Sequence, residues 1–139
     1  MTNVYVNIIG DLFHYGHILF FTEALKNGDN LIVGLLNDND SQLIKRKPIM
    51  TLTERTNIIS SCKLVNKVIP NTQLKITNEF LEKHNIHIVC DSEDVEKDYL
   101  IDFYKIPIEK GIFRSTKKYD GISTSDIIKR VKQSYMFNT

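Results

Sequence analysis

With 139 residues, 42% hydrophobic and 25% charged, the chain has ordinary globular composition and length enough to bury one proper core, so residues 1–139 are expected to form a single domain. A formal net charge of +1 creates no global field, which excludes wholesale attraction to nucleic acid or to an anionic membrane. No stretch approaches the ~20 apolar residues of a membrane span, no basic run opens a signal peptide, and Cys62 and Cys90 belong to no CxxC pair, so the expected setting is soluble, reducing and cytoplasmic.

Val4–Ile9 (VYVNII) is apolar and β-branched, which predicts a strand buried on both faces. Ile18–Leu25 is apolar all round and predicts a helix, with Gly28 where a C-cap is expected. Leu31–Leu36 reads as a second buried strand, followed by an irregular stretch holding Lys45–Arg46–Lys47. Thr51 and Glu54 have capping-box spacing and open a helix to about Cys62. A short strand at Lys67–Ile69, a helix capped by Thr77 through about His84, and a strand at Ile86–Cys90 follow. A helix over Tyr99–Lys110 and a last one after Ser123–Thr124–Ser125 complete the order. This alternation predicts an α/β fold, a parallel sheet flanked by helices, with its ligand site at the carboxyl ends of the strands.

The stretch Gly10–His17, GDLFHYGH, lies at the carboxyl end of the first strand. His14 and His17 stand one helical turn apart where a helix offers free N–H groups, and Gly16 lets a ligand approach the backbone. Such a mouth suits an anion such as a phosphate. Two surface histidines would look the same, and H-x-x-H brings no third ligand at metal-binding spacing, so no protein-held metal is expected. Support comes from Gly121–Asp126, GISTSD, where three hydroxyls precede an apolar helix; capping uses one of them and leaves the others for a second phosphate cradle. Lys45 stands in a charged stretch that is either solvated or poised on charge developing during transfer, and Arg55 anchors a nucleotide or forms a surface pair. Neither G-x-x-x-x-G-K-[ST] nor G-x-G-x-x-G nor G-x-S-x-G occurs.

In this order HYGH, Lys45, MTLTER (Met50–Arg55) and GISTSDII (Gly121–Ile128) resemble the cytidylyltransferase family of the HxGH nucleotidyltransferase superfamily. The resemblance runs from about Val4 to Val131 and implies a Rossmann-like fold, CTP with Mg²⁺, and transfer of a cytidylyl group to a phosphomonoester with release of pyrophosphate. It implies that His14 and His17 act on the CTP phosphates, Lys45 on the α-phosphate side, and Ser123 and Thr124 on the β- and γ-phosphates. Asp11 would position the histidine turn, and Ile9, Gly10, Gly16, Arg55 and Lys63 would belong to the CTP site, with Lys118, Gly121, Ile122 and Ser125. It further implies a homodimer formed near Lys63–Ile69.

The pattern also departs from the family. Its GxFD reads Ile8–Ile9–Gly10–Asp11 here, and its RTxGIST and RYVDEV arginines fall at Lys118 and Lys63, with Arg114 a neighbouring substitute for the first. For the second substrate, Tyr104 matches a tyrosine of the choline enzymes, Tyr99 is a possible helper, and the acids Asp91, Glu93, Asp94 and Glu96 would attract an amine or simply be solvated. Phosphocholine or phosphoethanolamine is therefore the expected acceptor, with glycerol-3-phosphate close behind. Other readings are an inactive nucleotide-binding module and a preference for ATP. The chain carries no long amphipathic extension after its last helix, so lipid control is not expected.

Overall fold

Side chains of a strand alternate between faces, and here both faces are apolar, so the strands must be covered twice. Strands β1 (Asn3–Ile8), β2 (Asn30–Leu36), β3 (Lys67–Thr72), β4 (Ile88–Ser92) and β5 (Phe113–Thr116) form one parallel sheet in the order β3-β2-β1-β4-β5. The helices are α1 (Tyr15–Ala24), α2 (Asp38–Ile44), α3 (Leu52–Ser60), α4 (Asn78–Lys83), α5 (Lys97–Asp102), α6 (Lys105–Glu109) and α7 (Thr124–Met136). This computed structural model describes residues 1–136; Phe137–Thr139, assigned by sequence to the same domain, lie outside the described residues.

On one face Val4, Val6, Leu31, Val33 and Leu35 meet Phe21 and Ala24 of α1 and Ile59 of α3. On the other, Tyr5, Ile32 and Val89 meet Leu81 of α4 with Ile76, Ile86 and Tyr104. Each fully buried side chain of this kind contributes about 1.5–3 kcal/mol. The chain steps from β1 to β2 to β3 and then returns to the other side of β1, so the sheet order reverses between β1 and β4. That reversal opens a crevice at the carboxyl ends of the strands.

Three elements differ from expectation. The polar run Asp38–Ile44 is helical because Asn37 caps it, its side chain accepting from the Asp40 N–H at 2.8 Å. The expected helix over Tyr99–Lys110 is two helices. Continued, it would drive the Pro107 ring against the Phe103 carbonyl; that carbonyl instead accepts from Ile76 N–H at 3.1 Å. Phe113–Thr116 is a fifth strand, four residues long at a sheet edge, too short and half-exposed to show a period. Helix α1 also begins at Tyr15, three residues earlier than its apolar run.

Candidate functional site

Between β1 and α1 the backbone is unusual at Gly10 (φ +71°) and at Leu12 (φ +48°). Gly10 is required there twice over, since a Cβ would also lie 2.6 Å from Ile59 Cδ1 and 2.9 Å from Leu35 Cδ2. The turn delivers His14 to the N-cap of α1 and His17 to its third helical position. His14 Nδ1 accepts from Gly16 N–H at 2.9 Å, and His17 Nδ1 accepts from His14 N–H at 3.1 Å. This is a capping box in which imidazoles replace the usual hydroxyl and carboxylate. Since each Nδ1 accepts, each neutral ring carries its proton on Nε2.

Both rings are neutral. Burial, then the His14 ring beside it, lowers His17 to about 4, and burial lowers His14 below its ordinary value. The pair, with ring centroids 4.1 Å apart, is thus a pair of fixed N–H dipoles and not of cations. A stability consequence follows. His17 takes up its proton more readily unfolded than folded, so its contribution is complete above its unfolded value and is lost as pH falls toward about 4. Urea unfolding should find the protein roughly 2–3 kcal/mol less stable at about pH 4.5 than at about pH 7.5 on this account. His17→Gln keeps an acceptor for the cap and should lack that part of the slope; an unchanged slope would reject the assignment.

The second helix mouth docks on the first. His14 Nε2 lies 3.3 Å from Thr124 Oγ1, which donates to the Asp11 carbonyl at 2.9 Å. Gly16 is needed because a Cβ would stand 2.7 Å from the Ile122 carbonyl, so what approaches that glycine is the chain's own backbone. Ser123 caps α7, accepting from Asp126 N–H at 3.1 Å, while Gly121 and Ser125 are exposed. Of the three hydroxyls, Thr124 alone reaches the cleft wall.

That wall encloses a cavity of about 240 Å³ lined by Ile8, Ile9, Gly10, Asp11, His17, Ile44, Lys45, Arg46, Pro48 and Thr124. Asp11 is buried, and its carboxylate accepts from Ile49 N–H at 2.8 Å and Met50 N–H at 2.9 Å. It therefore ties the histidine turn, of which it is part, to the stretch after the basic residues.

Three expected CTP contacts lie elsewhere. Arg55 is fully buried and donates to the Ile9 carbonyl (2.6 Å), the Leu36 carbonyl (3.1 Å) and the Asp38 carboxylate (2.6 Å); it ties the ends of β1 and β2 to α2 from beneath the cleft. Lys118 pairs with Asp94 at 3.1 Å and Asp120 at 3.6 Å. Lys63 is exposed ahead of β3, at the amino ends of the strands, the wrong end of this chain for the cleft. Arg114 is no substitute, because its guanidinium donates to the carbonyls of Gly111 and Phe113.

A second cavity, about 310 Å³, adjoins the first and shares Ile44 and Lys45 with it. Asn7, Asp91, Asp94, Glu96, Tyr99 and Tyr104 contribute to its lining. Tyr104 is buried and donates its phenol to the Asp91 carboxylate at 2.5 Å. Burial raises Asp91 above the ordinary carboxylate range, partly offset by that hydrogen bond. Glu93 turns away and meets Lys118 N–H at 3.4 Å. The sequence offered four acids alike; only the Tyr104 contact distinguishes Asp91.

A profile of the cytidylyltransferase-like family matches residues 11–130, the span containing both helix mouths and most of the residues that line the two cavities. The chain belongs to that family. This cytidylyltransferase-like chain is 39% identical over 95% of its length to choline-phosphate cytidylyltransferase 2 of Arabidopsis thaliana, covering 45% of that protein. It is 40% identical over 95% of its length to a probable choline-phosphate cytidylyltransferase of Schizosaccharomyces pombe, covering 37% of it. With an ethanolamine-phosphate cytidylyltransferase of Dictyostelium discoideum it shares 35% identity over 87% of its length, covering 35% of that protein. The chain thus spans less than half the length of these curated relatives. Its fold is that of the lipopolysaccharide core biosynthesis protein of Thermoplasma volcanium, with a TM-score of 0.68 at 24% identity, covering 86% of this chain and 99% of that one. Among the described residues, no helix is long and apolar enough to cross a membrane.

Proposed function

We propose that this cytidylyltransferase-like chain transfers the cytidylyl group of CTP to the phosphate of an amino-alcohol phosphomonoester, phosphocholine or phosphoethanolamine. One observation carries the reading: Lys45 stands in the wall common to two cavities, one edged by neutral imidazole and helix mouths, the other by carboxylates and phenols. The first suits a polyphosphate. It falls below the roughly 300 Å³ at which small-ligand pockets usually begin, so it holds the phosphates and not a whole nucleotide. The second suits an ammonium group, with Asp91 and Glu96 facing it, and its attached phosphate directed toward Lys45.

In the reaction an oxygen of the acceptor phosphate attacks the α-phosphorus of CTP, and the bond from that phosphorus to the bridging oxygen breaks, releasing pyrophosphate. The nucleophile is already an anion, so no side chain has to remove a proton. The protein aligns two anions and stabilises charge. His17 Nε2–H and Lys45 act at the α-phosphate, where the cavities meet. The free backbone N–H groups at the start of α7 receive the outer phosphates, while the Thr124 hydroxyl, already given to the Asp11 carbonyl, braces that helix mouth against the first. His14 holds Thr124 in register.

Both oxygens of the one carboxylate in the nucleotide cavity, Asp11, are engaged by backbone N–H groups. The described residues also hold no cluster of three or more metal-ligating side chains. The cleft therefore does not fit a magnesium held by the protein; in this proposal Mg²⁺ comes and goes on the CTP phosphates. The proposal includes a homodimer about 63–69, where β3 is a sheet edge, and a cytoplasmic setting, which suits free Cys62 and Cys90.

The test is pyrophosphate release from CTP or ATP with Mg²⁺ and a panel of phosphocholine, phosphoethanolamine and glycerol-3-phosphate. Turnover should be fastest with CTP and an amino-alcohol phosphate. Binding of CTP without turnover on any acceptor would favour the inactive-module reading, and faster turnover of ATP would overturn the base assignment. Sedimentation of the same preparation at its 16.1 kDa chain mass would remove the dimer.

A further inference from the structure

We infer that Arg46 is the guanidinium that grips the outer phosphates of the nucleotide, an inference resting on the function proposed above. Arg46 lines the nucleotide cavity with His17, Lys45 and Thr124. Its Nε is buried without a hydrogen-bond partner, and among the described residues no carboxylate forms an ion pair with it. Its terminal guanidinium nitrogens make no hydrogen bond among the described residues either, and they are the donors that an incoming phosphate oxygen would meet. The one carboxylate nearby, Asp11, has both oxygens occupied. Arg46 thus faces an anion site with its donors unused.

The other arginines cannot fill this role. Arg55 spends its terminal nitrogens on the Ile9 and Leu36 carbonyls and on Asp38. Arg114 is bound to its own loop, and Arg130 is exposed on α7 and lines neither cavity. The lysines at the positions expected to carry family arginines are also unavailable: Lys118 is paired to acids and Lys63 stands at the opposite end of the strands. One planar fork remains at the cleft, and it is Arg46.

Its place also says which phosphate it meets. Lys45 lines both cavities and so flanks the reacting phosphorus, whereas Arg46 lines the nucleotide cavity alone. It therefore meets the β- and γ-phosphates and not the acceptor.

Calorimetry on wild type, Arg46→Ala and Arg46→Lys with CTP, CMP and inorganic pyrophosphate tests this, alongside the KM for each substrate. Arg46→Ala should weaken CTP and pyrophosphate about 10- to 100-fold. CMP binding and the acceptor KM should be unchanged, and Arg46→Lys should recover only part of the loss, since an ammonium presents no fork. An Arg46→Ala protein that melts like wild type and binds CTP as tightly would overturn the inference and leave the proposed function standing. Equal losses on CMP and CTP would overturn the assignment to the outer phosphates. A wild type that binds pyrophosphate through Arg46 but not CTP would instead reject the nucleotide reading, and one that binds neither would reject both.

Discussion

His17→Ala is expected to lower kcat by about 100- to 1,000-fold, the loss typical when one fixed donor to a developing oxyanion is removed. The ring qualifies as such a donor because its other nitrogen is already spent on the His14 N–H, which leaves Nε2–H as the only group it can offer. It is also neutral, so its donor strength does not vanish through the ordinary imidazole range as pH rises. Alanine removes the cap along with the donor, so a fall in rate alone could reflect a loosened turn. His17→Gln separates the two. A glutamine at the third helical position restores the acceptor of the capping box. Its stability should approach wild type while most of the rate stays lost. If His17→Gln restored both stability and rate, the imidazole would be a structural cap and the transition-state role would be wrong.

The largest stability effect is expected at Arg55, which the motif order assigns to a nucleotide and the fold places beneath the cleft. Arg55→Ala strips a hydrogen bond from the Ile9 carbonyl, one from the Leu36 carbonyl and one from Asp38, and leaves a void among Gly10-turn and α2 neighbours. Asp38 is half-exposed, so solvent screening leaves its ion pair a modest share of the total. The stranded carbonyls carry most of it. We expect a loss of about 3–5 kcal/mol in urea unfolding, a large part of the 5–15 kcal/mol that usually holds a domain together. Arg55→Lys should recover part of it by reaching one acceptor. A loss below about 1 kcal/mol would show that water or a neighbour takes over those acceptors.

What could be read from the sequence, and what could not, divides along physical lines. Strong local signals survived: the VYVNII strand, the Thr51–Glu54 capping box and the convergence of HYGH with GISTS all have their counterparts in the fold. In each case short-range chemistry and long-range packing favour the same outcome. Helix α2 was missed because its signal is one capping side chain, Asn37, on a polar run with no apolar face. The break before Lys105 has its sequence signal in Pro107, whose ring cannot follow the Phe103 carbonyl in a continuous helix, but apolar periodicity passes over it. The misplacement of Arg55 and Lys118 has a shared cause. A motif fixes residue type and order, but whether a cation faces a ligand or a carboxylate is set by tertiary neighbours such as Asp38 and Asp94.

The Lys45–Pro48 strap is pinned at both ends. Lys45 N–H closes the last turn of α2 on the Ser41 carbonyl at 3.0 Å, and the two residues that follow the strap, Ile49 and Met50, are tied to Asp11. A span this short has little slack. Adding or deleting one residue in it would shift Lys45, which lines both cavities, and Arg46, which lines one, without disturbing the sheet. On the function proposed above, retuning which acceptor or nucleotide is favoured need not touch either pocket floor: the length and sequence of four residues are the adjustable part.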